Sequence, residues 1–429
     1  MNLFRENTFQ SFWGIPRAPL PPDEDVRRLG RDLLSPNAQA QPMDWQSLMA
    51  LVLGEQQFGE YHFGLEGLRR LYYDIRPALP SWSRSLLHKA VASRQKQGAL
   101  LTWPIEDRYV AFQFELLRAA MIAQGRDTLR YVRFWPDGKD FAFVLTHDVE
   151  TVRGQEFARR VADLEEKHGF RSSFNFVPEK YELDHELMAE LRSRGFEVGV
   201  HGLRHDGRLF SSRKDFDEQA RKINGYLASW NAVGFRSPFT HRNPEWMQAL
   251  EMEYDSSFFD TDPFEPIPGG TMSIWPFRMG HFIELPYTLL QDHTLMLTLA
   301  ETTPRIWLGK VAFIRRFGGM ALVNVHPDYT RNPQCFAIYA AFLEEMSQSQ
   351  DYWHALPSEV ARWWRTRMEL EPDEIDNHVQ TSLPGISIGG IHLPTGGSWR
   401  DLELNSPPSH LGIRSREDTG PKSAANVKI

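Results

Sequence analysis

The segment Phe141-Ala142-Phe143-Val144-Leu145-Thr146-His147-Asp148-Val149-Glu150 decides how this chain is read. Its first part, Phe141–Thr146, is a short apolar run without a polar face, which suits a strand buried on both sides of a parallel sheet. The run then stops on a histidine and two carboxylates. In parallel sheets the carboxyl ends of strands are where ligands bind, so a polar cluster there points to a site.

The same texture recurs outward from this segment. Strands are expected at Ser173–Val177, Phe196–Val200, Val233–Arg236, Phe282–Leu285 and Ala321–Val325. Between most of them lie helical patterns: Arg153–His168, His185–Arg194, Arg213–Trp230, Pro244–Glu251 and Pro304–Phe317. Strand–helix alternation with crossovers this long predicts a parallel sheet, open or closed into a barrel. Two irregular signals, around Tyr254–Phe259 and His354–Leu356, suit a barrel of about seven strands. This α/β unit is read over residues 141–367. Residues 1–140 form an extension with Pro-rich pieces and helix-like segments at Met43–Leu53 and Ser83–Gln97. Residues 371–429, rich in Pro, Gly, Ser and Asn, are expected to be a disordered or loosely draped tail.

Composition narrows the function classes. Of 429 residues 41% are hydrophobic and 24% charged, which permits a large core. With 48 basic and 56 acidic residues the net charge is −8, which argues against nucleic acid as a partner. The single cysteine, Cys335, excludes an intramolecular disulfide framework and a cysteine-rich zinc site. The first residues do not read as a secretory signal, and no apolar run of about 18 residues suggests a membrane span. A cytoplasmic enzyme is the expectation. The stretch from Tyr72 to Gln97 carries Arg76, Arg84, Lys89, Arg94 and Lys96 among apolar residues. Such a helix can lie on an anionic membrane, giving peripheral membrane contact; the plainer reading is a surface helix on the main domain.

Four strands end in reactive side chains. Beyond Asp148 and Glu150, Phe196–Val200 runs into His201-Gly202-Leu203-Arg204-His205, a third strand ends at Arg236, and Ala321–Val325 delivers His326. His201 and His205 are spaced i, i+4, which on a helical turn puts both imidazoles on one side. Asp148 and Glu150, two apart in extended backbone, point the same way. One carboxylate with two histidines is a recurrent set for a catalytic divalent cation. Such an ion lowers the pKa of water from about 15.7 to about 7, and a second carboxylate nearby can take the water's proton. His326 is placed to protonate a leaving amine, and Arg236 to hold the base ionised through a bidentate pair. Each of these residues alone has an ordinary structural reading as a core histidine or a salt bridge; their coincidence at one end of the sheet is the signal.

In order and spacing, these motifs resemble the polysaccharide deacetylase family, the NodB-homology group of carbohydrate esterases. The resemblance covers about 225 residues: Leu145 to Glu150, His201 to His205, Arg236-Ser237-Pro238-Phe239, Tyr254-Asp255-Ser256-Ser257-Phe258 and Val325-His326-Pro327. It implies a distorted (β/α) barrel, usually seven-stranded, holding zinc or a similar divalent ion and acting on an N-acetylated saccharide. Carried over, Asp148 is the base, His201 and His205 are ligands, Arg236 orients Asp148, and His326 is the acid. Phe239 and Asp255 shape the acetyl pocket. Two departures stand out. Val149 occupies the position of the usual aspartate ligand, so that role passes to Glu150. Gly202 stands where many members carry Ser or Thr.

Trp275 is the aromatic expected at the substrate. His241, Asp260, Asp262, Asp292 and His293 are read as loop residues, more often solvated than functional. Two other functions stay in view: a catalytically inactive glycan-binding relative, suggested by Val149, and an O-acetyl esterase on the same metal site.

Overall fold

The computed structural model describes residues 2–15, 20–34, 38, 44–64, 99–370, 385–392 and 398–406. The strands, in chain order, are β1 (Thr128–Val132), β2 (Phe141–Val149), β3 (Ser173–Phe176), β4 (Glu197–His201), β5 (Gly234–Arg236) and β6 (Tyr254–Asp255). They continue with β7 (Phe277–Met279), β8 (Phe282–Glu284), β9 (Met320–Asn324), β10 (Tyr352–His354), β11 (Ile388–His392) and β12 (Glu403–Ser406). The longer helices are α1 (Phe9–Trp13), α2 (Asp23–Leu33), α3 (Trp45–Leu53), α4 (Arg108–Ala123), α5 (Val152–Lys167) and α6 (His185–Ser193). After them come α7 (Arg213–Ser229), α8 (Arg305–Phe317), α9 (Pro333–Ser347) and α10 (Pro357–Met368).

The main sheet runs β10-β2-β3-β4-β5-β6-β8-β7, with β9 also paired to β2. Every pairing is parallel except β7 with β8. All nine residues of β2 are buried, as a central parallel strand requires. After β8 the backbone N–H groups of Thr288 and Leu289 donate to Leu322 O of β9 at 3.2 and 3.0 Å. These bonds bring the far side of the sheet back toward β2, and the result is a distorted (β/α) barrel. The two irregular sequence signals are β6 and β10. The short antiparallel β7 and the helices α9 and α10 lay beyond the sequence reading, and Pro244–Glu251 is helical only over Pro244–Met247.

The extension shares the barrel's core. Trp13 meets Phe114 and Phe134 at 5.1 and 5.6 Å between ring centroids, and Phe134 meets Trp364 of α10 at 6.1 Å. The buried Arg367 guanidinium donates to Phe12 O and Val132 O, both at 2.8 Å. Within the tail, the described residues 385–392 and 398–406 carry strands where a draped chain was expected. β11 pairs antiparallel with β1, and β12 pairs with β11. Apolar periodicity is weak there, but the free edge of β1 supplies a hydrogen-bonding partner, which overrides composition. The basic stretch between Tyr72 and Gln97 lies outside the described residues. Among the described residues no helix is long and apolar enough to cross a membrane.

One buried polar knot stabilises the layer beneath the site. Glu165 of α5 is fully buried. It accepts from Ser172 Oγ at 2.6 Å and from Tyr339 Oη, and lies 2.7 Å from His147 Nε2. Replacing it with alanine strands three buried polar groups, at about 1–3 kcal/mol for each such group left unsatisfied. Glu165→Ala is expected to lower stability in urea unfolding by roughly 3 kcal/mol or more; a loss below about 1 kcal/mol would mean the knot is hydrated or dispensable.

Candidate metal centre

β2, β4, β5 and β9 all deliver their side chains at the carboxyl edge of the sheet. Strand alternation turns His147 away, and its Nδ1 lies 2.7 Å from Val325 O. Asp148 and Glu150 face the opposite side, where the pocket lies. Asp328 fixes the turn after β2: its carboxylate accepts from Glu150 N at 3.0 Å and from Thr151 Oγ1 at 2.5 Å.

Glu150, His201 and His205 offer ligand atoms that all lie within 4.8 Å of one another. Glu150 Oε1 is 2.8 Å from His205 Nε2 and 4.0 Å from His201 Nε2. His201 Nδ1 lies 3.0 Å from Arg236 O, and since a carbonyl only accepts, this nitrogen carries the proton. Its Nε2 is therefore a lone pair, buried and without a hydrogen-bond partner. Burial brings the His201 imidazole down to about 4 and so keeps it neutral. Burial disfavours the Glu150 carboxylate, but His205 outweighs it and holds its pKa well below the usual range. A neutral imidazole, a second imidazole nitrogen and an ionised carboxylate form a donor set that fits zinc or a similar divalent ion.

The two histidines do not share a helical turn. His201 closes β4, and His205 follows in a loop with φ +55°, a bend that brings the rings to 5.1 Å. Gly202, at φ +63°, belongs to this bend, and a Cβ there would fall 2.4 Å from the Pro238 ring. The missing hydroxyl at this position thus follows from a close approach that only glycine allows.

Asp148 sits beside these three side chains with its own supports. Asn175 Nδ2 donates to Oδ1 at 3.1 Å and Asn324 Nδ2 to Oδ2 at 2.8 Å. Arg236 does not form the bidentate pair expected of it. Its Nε stands 3.5 Å from Asp148 Oδ1, while Nη2 donates to Thr146 Oγ1 at 2.9 Å. The fully buried guanidinium acts as a nearby charge. Burial pushes Asp148 up, but the nearby Arg236 and His326 charges work against it, and its pKa lies below the ordinary value. Sequence reasoning missed Asn175 and Asn324, although a lone asparagine in an otherwise apolar strand was the available signal.

His326 stands across the site, with Nε2 3.9 Å from Asp148 Oδ2 and 3.7 Å from Glu150 Oε1. Asp292 holds its far side, accepting from His326 N and lying against Nδ1, both at 2.7 Å. Burial works against a charged imidazole, but the Asp292 carboxylate overrides it and raises the pKa to about 10. Asp292 is therefore buried against His326 rather than solvated. Asp260, Asp262 and His241 are also buried, and Asp260 pairs with Lys310 at 2.7 Å. His293 borders the pocket.

The remaining residues divide. Phe239 lines the pocket and packs 4.3 Å from the His205 ring. Asp255 does not line it: its partner in register is Glu284 of β8, it accepts from Ser257 Oγ at 2.7 Å, and burial raises its pKa. Trp275 is far from solvent, with Nε1 donating to Gly318 O at 2.9 Å and its ring 5.0 Å from Phe12. It belongs to the core shared with the extension. The pocket lining also includes Ser237, Thr240, Phe264, Glu265, Gln291 and Tyr329.

No family profile and no curated protein matches this chain. Solved structures do. A protein named as a polysaccharide deacetylase from Mycobacterium smegmatis is 20% identical, with 54% of this chain and 93% of that chain covered and a TM-score of 0.46. Peptidoglycan deacetylase PdaC from Bacillus subtilis is 14% identical, covers 57% of this chain and 99% of its own, and has a TM-score of 0.38. Puue allantoinase is 12% identical, with coverages of 54% and 92% and a TM-score of 0.44. At these values the reading of function rests on the site itself.

Proposed function

We propose that the chain is a metal-dependent hydrolase that removes N-acetyl groups from a saccharide. The observation that carries this reading is the placement of Asp148 and His326 3.9 Å apart, beside three side chains able to share one cation. When bound there, a divalent ion supplies Lewis acidity toward an acyl oxygen and toward water.

The chain's own residues do the rest. Asp148 takes one proton from water as the water oxygen bonds to the acetyl carbon. The carbon–nitrogen bond then breaks, and the nitrogen receives a proton from His326 Nε2, leaving acetate and a free amine. An amide requires this acid because an amide anion leaves very poorly. Asp292 keeps His326 oriented and charged, as the carboxylate does in other histidine–carboxylate pairs. Arg236, Asn175 and Asn324 hold Asp148 ionised and aimed.

A sugar is favoured by the pocket's walls. Phe239, Phe264 and Tyr329 offer ring faces, while Ser237, Thr240 and Gln291 offer hydrogen-bonding groups. Among the described lining residues none is Lys or Arg, so His326 is the one cationic side chain there that a phosphate or carboxylate would meet. The zinc-loaded protein is expected to release acetate from N-acetylglucosamine oligomers, to lose that activity in chelator, and to regain it on adding zinc. Metal binding without acetate release from any N-acetylated oligosaccharide would favour a glycan-binding role. Turnover of O-acetyl esters alone would favour an esterase.

A further inference from the structure

We propose that Glu55, carried by the N-terminal extension, is a positioning residue for the barrel's substrate pocket. The inference rests on the reading of that pocket as an active site.

Glu55 follows α3 and is fully buried, with a left-handed φ of 54°. Its carboxylate accepts a two-pronged donation from Arg242, Nε to Oε2 and Nη2 to Oε1, both at 2.6 Å. Oε1 also accepts from Gly270 N at 2.7 Å. Arg242, equally buried, sits over the Phe259 ring at 4.4 Å and donates Nη1 to Thr240 O at 3.0 Å. Nη1 and Nη2 both reach Ile267 O at 3.3 Å. One carboxylate from the extension therefore clamps two separate barrel loops, one through Arg242 and the other at Gly270 and Ile267.

Those loops are the pocket wall. Thr240 donates its hydroxyl to Glu265 Oε2 at 2.7 Å, and Gln291 Nε2 donates to Glu265 Oε1 at 2.6 Å; all three line the cavity. Phe239 and Thr240 are consecutive non-glycine residues at φ +59° and +52°. Backbone of this kind persists only where its surroundings over-determine it. Here the turn also places Phe239 against His205, so its shape bears on substrate and ligand together.

Anchoring the extension does not call for charge. α3 already buries Leu48, Met49, Leu51, Val52 and Leu53. A buried ion pair is a weak device for net stability compared with apolar packing, whereas its fork geometry fixes direction. Burial opposes the Glu55 charge, but Arg242 overrides it and brings the pKa down to about 2, so the clamp stays ionised across the working pH range.

The test compares the full-length Glu55→Gln protein with wild type in two ways. Acetate release should show KM raised about tenfold or more with kcat changed less than about threefold, the split expected when binding geometry is lost and the chemistry is kept. Hydrogen exchange should quicken in residues 237–243 and 262–270 while β2, β3 and β4 stay protected. If Glu55→Gln does not fold, Arg242→Lys serves, since it keeps the charge and loses the fork. A lower melting temperature with KM and loop exchange unchanged would overturn the proposal and leave Glu55 a stabilising residue only. If wild type has no turnover, the hydrolase reading fails, and the exchange pattern alone then decides for or against the clamp.

Discussion

Asp148→Asn is expected to lower kcat/KM on an N-acetylated oligosaccharide by about 10³-fold, within the range of 10²–10⁴ typical of a lost general base. Bound metal should stay at one equivalent. The substitution keeps the shape and the site's hydrogen-bonding, because the Asn175 and Asn324 amides that face Asp148 can rotate to meet a neutral partner. What it removes is the proton acceptor. The proposed ligands of the cation are other residues, so loss of turnover and loss of metal should separate. Retained metal with retained turnover would show that the proton leaves by another route. Loss of metal together with turnover would make Asp148 a ligand.

Asp292→Asn should be nearly as severe on an amide, with a loss of about 10²–10⁴-fold. The amide can still accept from His326 N, so the loop need not move, but the charge that keeps the imidazole protonated is gone. The sign follows from the shift. In the wild type Asp292 raises His326 from 6.5 to about 10, so its acid form persists through neutral pH and disappears only as the pH rises through that higher value. In the variant the alkaline limb of kcat/KM should move down toward neutrality, with the acid limb little changed. On an acetyl ester with a good leaving group the loss should be much smaller, because such a group departs without a proton. An unshifted alkaline limb would remove His326 from the role of acid.

Much of this centre was legible in the sequence because strand ends are. Asp148, Glu150, His201, Arg236 and His326 stand at or just beyond the ends of apolar runs, and period-two alternation put Asp148 and Glu150 on one side. The spacing of His201 and His205 suggested a shared helical turn; the rings do come together, but through a left-handed bend in which Gly202 lies against Pro238. Residues that act from loops were harder to see. Asp292 carries no periodicity, and its role exists only because the chain folds it against His326. Glu55 and Glu265 are joined by a clamp spanning more than two hundred residues, which no local pattern encodes. Trp275 was misplaced for a related reason. Its Gly- and Pro-rich surroundings suggested a loop at the cleft, whereas the extension supplies Phe12 and Tyr109 to bury it. The strand β11 forms against β1, about 260 residues away, and β12 then adds to β11, so their own composition said little.

The central claim is that one cation is held by Glu150, His201 and His205 while Asp148 stays free. Anomalous diffraction at the zinc edge from zinc-soaked crystals of the full chain tests it most directly. The account predicts a single strong peak about 2.0–2.2 Å from one Glu150 oxygen and from both Nε2 atoms, with Asp148 outside bonding distance. No peak at saturating zinc, or an ion bound through Asp148 with Glu150 turned away, would contradict it.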